Sequence, residues 1–311
     1  YNWRDDWENR FRMRVSRLED AFDDNKFTSL GNGKYTALGR VEYQTKGGLD
    51  NDRIKNARLE DQRVYNYTLN GSHLFNKLRA TWNVTLAKAS EERSNERYIS
   101  FRRSNRQVDL DISDPEFPSA YLSNRAENLQ LPLNEITEQY GFTSDQDLNA
   151  RLDFSLPYSD KGVLKFGGRY RSKDKLRNNS FMEYEPLNGS IATLGGVANR
   201  DYSDPNYLAG SKYQVGSFAT PEFLGGLDLS NPALFEATDL PEEYAPSNYT
   251  AFEQITGAYT MVDQQLTPKL SAIVGVRYEY TNIDYTGNIY NLDEETITSD
   301  SRKNSYGNFL P

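Results

Sequence analysis

Cysteine is absent from this 311-residue chain, and histidine occurs once, at position 73. Without cysteine there is no disulfide framework, no thiolate metal site and no cysteine nucleophile. A lone His73 leaves no partner for a histidine-based zinc site and makes a Ser–His–Asp triad a poor reading. Long apolar runs are missing too. No stretch approaches the roughly 18 residues that a transmembrane helix needs, and the mean hydropathy of −0.80 is too polar for a helical membrane protein. The opening residues "YNWRDDWENR" are charged and have no apolar core, so they are not a secretory signal. The expectation is a processed chain or an internal piece of a longer one. Nor is there a basic excess. Lys and Arg number 36 against 45 Asp and Glu, a net charge of −9, which argues against nucleic acid as a partner.

Aromatic residues, by contrast, are plentiful: 22 Tyr and 15 Phe, against 3 Met. Tyrosine in such excess suits strands with one apolar face and an edge at water. From Leu270 to Tyr280 every second residue is apolar or aromatic (Leu270, Ala272, Val274, Val276, Tyr278, Tyr280), and those between are mostly polar, ending in Arg277 and Glu279. The pattern recurs in "KYTALGRVEYQ", "LRATWNVTL", "DLNARLDFSLP" and "VLKFGGRYR", and less cleanly in "VYNYTLNGSHLF", "YTAFEQITGAYTMV" and "NRFRMRVSRL". Period-two alternation puts the two residue classes on opposite faces of a strand. At least eight strands read this way.

Alternation alone suits a soluble sandwich as well as a membrane barrel. Strand length separates them. About 10–13 residues at ~3.3 Å each, tilted by roughly 40–45°, cross the ~25 Å apolar band of an outer-membrane barrel. The connections separate them too. Tight turns at Asn76-Lys77, Tyr158 to Gly162 and Asp263 to Pro268 alternate with long polar segments at 46–62, 90–145, 174–248 and 284–305. Short turns at one end and long loops at the other are the barrel order; only 19–33 fits it badly. Tyr43, Tyr65, Tyr67, Tyr278 and Tyr280 fall toward the long loops, with Phe75 and Tyr158 near the short turns, as interface girdles would. Tyrosine's plain suitability for strands is the competing account. The fold expected is all-β: an antiparallel transmembrane β-barrel, here a partial barrel of about eight or nine strands with long extracellular loops.

The stretch "YTAFEQITGAYTMVDQQLTPKLSAIVGVRYEYTNIDYTGN", followed by "YGNFLP", resembles the barrel of TonB-dependent outer-membrane receptors, closest in style to those of Bacteroidetes. The specific likeness lies in Tyr259-Thr-Met, the turn Leu266-Thr-Pro-Lys-Leu, Gly275-Val-Arg-Tyr-Glu279 and the closing Phe309-Leu-Pro; "KASEERSNERYISFR", Lys88 to Arg102, is similar too. The resemblance implies a 22-stranded barrel with an N-terminal plug, loops that capture substrate, and transport energised by TonB. No plug, TonB-contacting segment or aromatic-ended terminal strand is recognisable in the sequence. On this reading residues 1–311 are an internal part of such a barrel. The partners are outer-membrane lipid, an unidentified extracellular ligand and, through a plug outside this chain, the TonB complex.

Site residues follow from the same reading. Arg40, Arg79, Arg151, Lys165, Arg169, Arg171, Arg277 and Glu279 share the inward parity. They either line a path for an anionic ligand or a plug, or pair with Asp147, Asp153, Glu42 and Glu279 on neighbouring strands. Capture falls to aromatics of the longest segments: Tyr121, Tyr202, Tyr207, Tyr213, Phe218 and Phe223. Segments of that length are usually functional or disordered, and a short helix over Leu133 to Tyr140 is expected in the first. The acidic run "DLDISDPE", Asp109 to Glu116, reads as a solvated loop before a calcium site, lacking the glycine and terminal glutamate of an EF-hand; "DEE" at 293–295 is weaker still. "GNGK" at 31–34 lacks the spacing of a phosphate loop. The sequons at Asn66, Asn70, Asn83, Asn188 and Asn248 read as coincidence, and His73 as an interfacial residue. No enzyme activity and no cofactor are expected. A surface-binding or adhesion protein without transport is the alternative, and a barrel hydrolase is disfavoured by the single histidine.

Overall fold

Alternation becomes strand along most of the chain. The structure, a computed structural model, describes residues 27–49, 55–204 and 215–311; "NRFRMRVSRL", Tyr207 and Tyr213 lie outside these. Among the described residues thirteen strands form: β1 (Phe27–Gly31), β2 (Lys34–Gly48), β3 (Asp61–Phe75), β4 (Leu78–Asp111), β5 (Ser119–Leu122), β6 (Leu133–Ser159), β7 (Gly162–Pro186), β8 (Asn199–Asp201), β9 (Ser217–Ala219), β10 (Phe235–Asp239), β11 (Tyr249–Thr267), β12 (Leu270–Asn291) and β13 (Thr296–Leu310). Eleven of them make one sheet. Its main path runs β1-β2-β4-β6-β7-β11-β12-β13, with β3 and β5 on β4 and β10 on β7; β8 and β9 pair separately. The long strands β3 and β4, β7 and β11, β11 and β12, and β12 and β13 pair antiparallel, as in a barrel meander.

Register keeps the expected faces together. Val262 opposes Val274 and Leu164, while Tyr259 opposes Arg277 and Gly167. On the apolar face Leu69, Phe75, Leu152, Leu270, Val274, Val276, Tyr278 and Phe309 are all exposed. Soluble proteins rarely leave so continuous an apolar surface bare. Val64, Leu74 and Ile273 interrupt the polar face. Tight turns close β3–β4 at Asn76-Lys77, β6–β7 at Asp160-Lys161 and β11–β12 at Pro268-Lys269.

Several expectations need correction. The strands are longer than 10–13 residues: β12 has 22, β7 has 25, β6 has 27 and β4 has 34. Pairing continues after the outward residues turn polar, because backbone bonds do not depend on which solvent the side chains meet. The segment 284–305 is therefore two paired strands around a turn, from Asn291↔Thr296 downward, while 90–145 is strand at both ends and 174–248 is strand at its start. Leu133 to Tyr140 belongs to β6 and is not a helix. Its apolar residues at 133, 136 and 140 mimic helical spacing. Yet Ile136 and its neighbour Thr137 are both buried, and adjacent strand residues point to opposite faces, so both faces are covered there and the alternation is masked. "GNGK" is the β1–β2 turn, where Gly31, Asn32 and Gly33 take φ of 80°, 53° and 72°. β2 pairs with residues 96–111 of β4 and β3 with residues 78–92, both antiparallel to it.

The chain divides into two compact units. One holds Leu59–Asn95, Gln139–Met182 and Asp239–Pro311, the alternating strands. The other holds the described residues up to Arg58, with Glu96–Glu138 and Glu183–Thr238. This second unit, built mostly from the long connections, has its own core: Ile99, Phe101, Leu122, Leu131, Ile136, Leu194, Leu224, Leu229 and Phe235 are buried. Each such side chain contributes roughly 1.5–3 kcal/mol on burial. Tyr43 belongs here and not to a girdle of the alternating strands.

Candidate functional site

In the loop-built unit, aromatic rings gather where β2 meets the β8–β9 hairpin. The Tyr43 and Phe218 centroids are 4.9 Å apart, and Tyr202 meets Phe218 edge-on at 6.2 Å. The Arg200 guanidinium lies 5.8 Å from the Tyr202 centroid, within cation–π range. Burial pushes the Tyr43 phenol above its usual range, partly offset by the charge of Arg125. Tyr202 remains 40% exposed. Ring faces beside a guanidinium can stack on a planar or C–H-rich ligand and hold a negative group on it. Two of the six aromatics expected from the sequence, Tyr202 and Phe218, come together. Phe223 sits in the helix Pro221–Gly225 and donates its N–H to the Thr220 cap at 3.2 Å; among the described residues it joins none of these ring pairs. Tyr121 lies in β5, in register with Asp109. Tyr43, read from the sequence as a girdle residue, and Arg200 were not expected in this cluster, because nothing local marks the partner of a loop aromatic.

The same unit buries a charge. The Arg97 side chain is 5% exposed. Its Nε donates to Glu138 Oε2 at 2.6 Å, and its Nη1 reaches the carbonyls of Leu224 and Gly225 at 3.3 Å and of Leu227 at 2.8 Å. Thr45 donates its hydroxyl to Ala219 O at 2.7 Å. Beside it the segment lies close on β2: a Cβ at Gly47 would stand 3.3 Å from Leu224 Cδ2, and one at Gly225 would stand 2.7 Å from the Gly48 carbonyl. Tyr184 faces the Arg97–Glu138 pair. Burial raises its phenol above the ordinary range, and Glu138 adds to the effect.

On the polar face of the other unit the charges are interleaved. Arg171 bonds Asp147 through Nε at 2.8 Å and Nη2 at 2.5 Å; Lys173 meets Asp145 at 3.0 Å and Lys165 meets Asp263 at 3.4 Å. Arg151 pairs with Asp153 at 2.6 Å and Arg277 with Glu279 at 2.8 Å, each two residues along its own strand. Arg169 donates to Asn149 at 3.3 Å. Tyr259 lies across Gly167 and donates to Asp153 at 2.8 Å. Arg151, Lys165, Tyr259, Met261 and Arg277 line a hollow of about 540 Å³. Arg79 is exposed; Arg40 is exposed too, but in the loop-built unit, at the register irregularity of β2.

The acidic run is spent on turn bonds. Asp109 accepts from Ser123 at 2.7 Å, Asp111 from Ser113 at 2.5 Å and Asp114 from the Glu116 N–H at 3.0 Å. Among the described residues no group of three or more metal-ligating side chains gathers. His73 accepts from Trp82 Nε1 at 3.2 Å on the apolar face.

Residues 237–311, which include β11, β12 and β13, match the model of an outer membrane protein beta-barrel family. No curated protein matches the chain. The match agrees with the meander and its bare apolar face: these are strands of an outer-membrane β-barrel, and the protein resides in the bacterial outer membrane.

Proposed function

We propose that this outer-membrane β-barrel protein is the barrel portion of a substrate-uptake receptor of the TonB-dependent type. Its loop-built unit captures an extracellular ligand, and the polar face of its strands lines the interior through which the ligand passes. It carries out no chemistry of its own. The observation that supports this most is the folded state of the long connections: they pack a core and present Tyr43, Tyr202, Phe218 and Arg200 together. Interleaved charges on the polar face suit a wet interior: Lys165 and Arg171 have a nearby counter-charge and Arg169 a nearby amide. Movement of a plug outside this chain, pulled by the TonB complex, is what such transport requires. A surface-binding or adhesion protein would use the same ring cluster and transport nothing.

Intact mass of the native polypeptide, extracted with detergent from outer membranes, separates the two. A chain at least twice the 35.7 kDa described here, carrying a plug sequence upstream, supports uptake. A native chain of this size without a plug sinks transport and leaves surface binding.

A further inference from the structure

We infer that Arg97 and Glu138 form an internal latch that sets the position of the segment 217–227. Arg97 stands on β4 and Glu138 on β6, whereas the carbonyls that Arg97 holds lie 127 to 130 residues further along. Those carbonyls close a single-turn helix, Pro221–Gly225, and the residues just after it. The last carbonyls of a helix have no partner within it, and a cation beside them is favourable. A guanidinium can meet three carbonyls and a carboxylate at once because its donors form a planar fork; a lysine ammonium offers one point. An apolar side chain would fill the same space without the desolvation that a buried ion pair carries, so the pair is a poor device for stability and a good one for fixing one conformation. The latch also has a counterpart: Thr45 pins Ala219 from the β2 side. Between these two anchors lie Thr220 and the helix with Phe223, and immediately before them Phe218.

The functional meaning of the latch rests on the capture reading above; its existence does not. Arg97 is thus a positioning residue, holding the aromatics of the segment where a ligand would find them already arranged.

The chain's lack of cysteine permits a direct test on the protein in lipid vesicles. A spin label is placed at exposed Glu222 (Glu222→Cys), with a second version at exposed Glu116 (Glu116→Cys) as the reference within the same unit. In the parent the Glu222 label gives the lineshape of an ordered segment. Arg97→Met keeps the volume and loses every bond. The Glu222 label then becomes mobile while the Glu116 label is unchanged. Arg97→Lys does not restore order. Glu138→Gln, the milder change, gives intermediate mobility at 222 even if Arg97→Met fails to fold. The latch is overturned if Arg97→Met and Glu138→Gln leave the Glu222 lineshape as in the parent, since packing then holds the segment. It is equally overturned if both labels loosen together, since Arg97 would then support the whole unit. No ligand enters the measurement, so a failed uptake reading leaves its result standing.

Discussion

At the scale of single residues, what matters is where a side chain is allowed to lie. Tyr259 reaches Asp153 across Gly167, its cross-strand neighbour; a Cβ there would collide with the Leu152 carbonyl oxygen and stand 2.9 Å from the tyrosine ring and 3.0 Å from Asp153 Oδ1. Gly167→Ala should therefore cost about 1–3 kcal/mol through overpacking, and Tyr259→Phe about 1 kcal/mol through the lost bond. Urea unfolding from lipid vesicles measures both. Because the two changes disturb one contact, the double variant should lose less than the sum. Titration gives a second prediction at this scale. The Tyr43 and Tyr184 phenols are raised above 10.0, chiefly by burial. A raised pKa means that the folded state prefers the neutral phenol. Its contribution to stability is whole below pH 10 and is lost as pH climbs through the raised values. Tyrosinate absorbance should place Tyr43 and Tyr184 among the late-titrating phenols, with the loop-built unit loosening as they ionise; Tyr43→Phe and Tyr184→Phe should each remove one late-titrating group. Glu138 and Arg97, which set part of this field, were not legible as a pair, since nothing near either residue in the sequence names the other.

At the scale of elements, the solvent on each face decides what a strand can carry. Val274 lies in the exposed apolar face of β12, flanked by Val262 on β11. Val274→Arg should destabilise the inserted protein by about 2–4 kcal/mol if it sits near the bilayer midplane, read as loss of the folded band in heat-modifiability gels and in folding titrations with lipid. Ile273→Arg, one residue away on the polar face, should be nearly neutral. Equal effects at the two positions would mean that the faces have been assigned wrongly. Strand existence and facing were legible here because lipid imposes one rule along the whole outer face. Strand ends were not. Past Tyr280 the outward residues turn polar while β12 remains paired to Asn291, so the hydropathy signal stops before the hydrogen bonds do.

For the molecule as a whole, the long connections behave as a folded unit. Residues 215–238 should accordingly resist a broad-specificity protease in the native protein, with the first cuts falling elsewhere; rapid cleavage within 219–235 would contradict the packed core around Leu224, Leu229 and Phe235. By itself, the sequence determined the class: the period of two, the tyrosine excess, the tight turns and the absence of cysteine and of apolar helices lead to antiparallel strands for an outer membrane. Each of those features is local or compositional, and each is set by a solvent that is the same at every strand. Tertiary structure alone decided that β2 and β3 pair with different stretches of the one long strand β4, that Leu133 to Tyr140 is strand, and that Tyr43, Tyr202 and Phe218 meet while Arg97 finds carbonyls 127 to 130 residues away. In that unit both faces of the strands are buried, so alternation no longer marks inside from outside. Pairing is fixed there by which distant segments fill one another's space, and that complementarity exists only once the chain has folded.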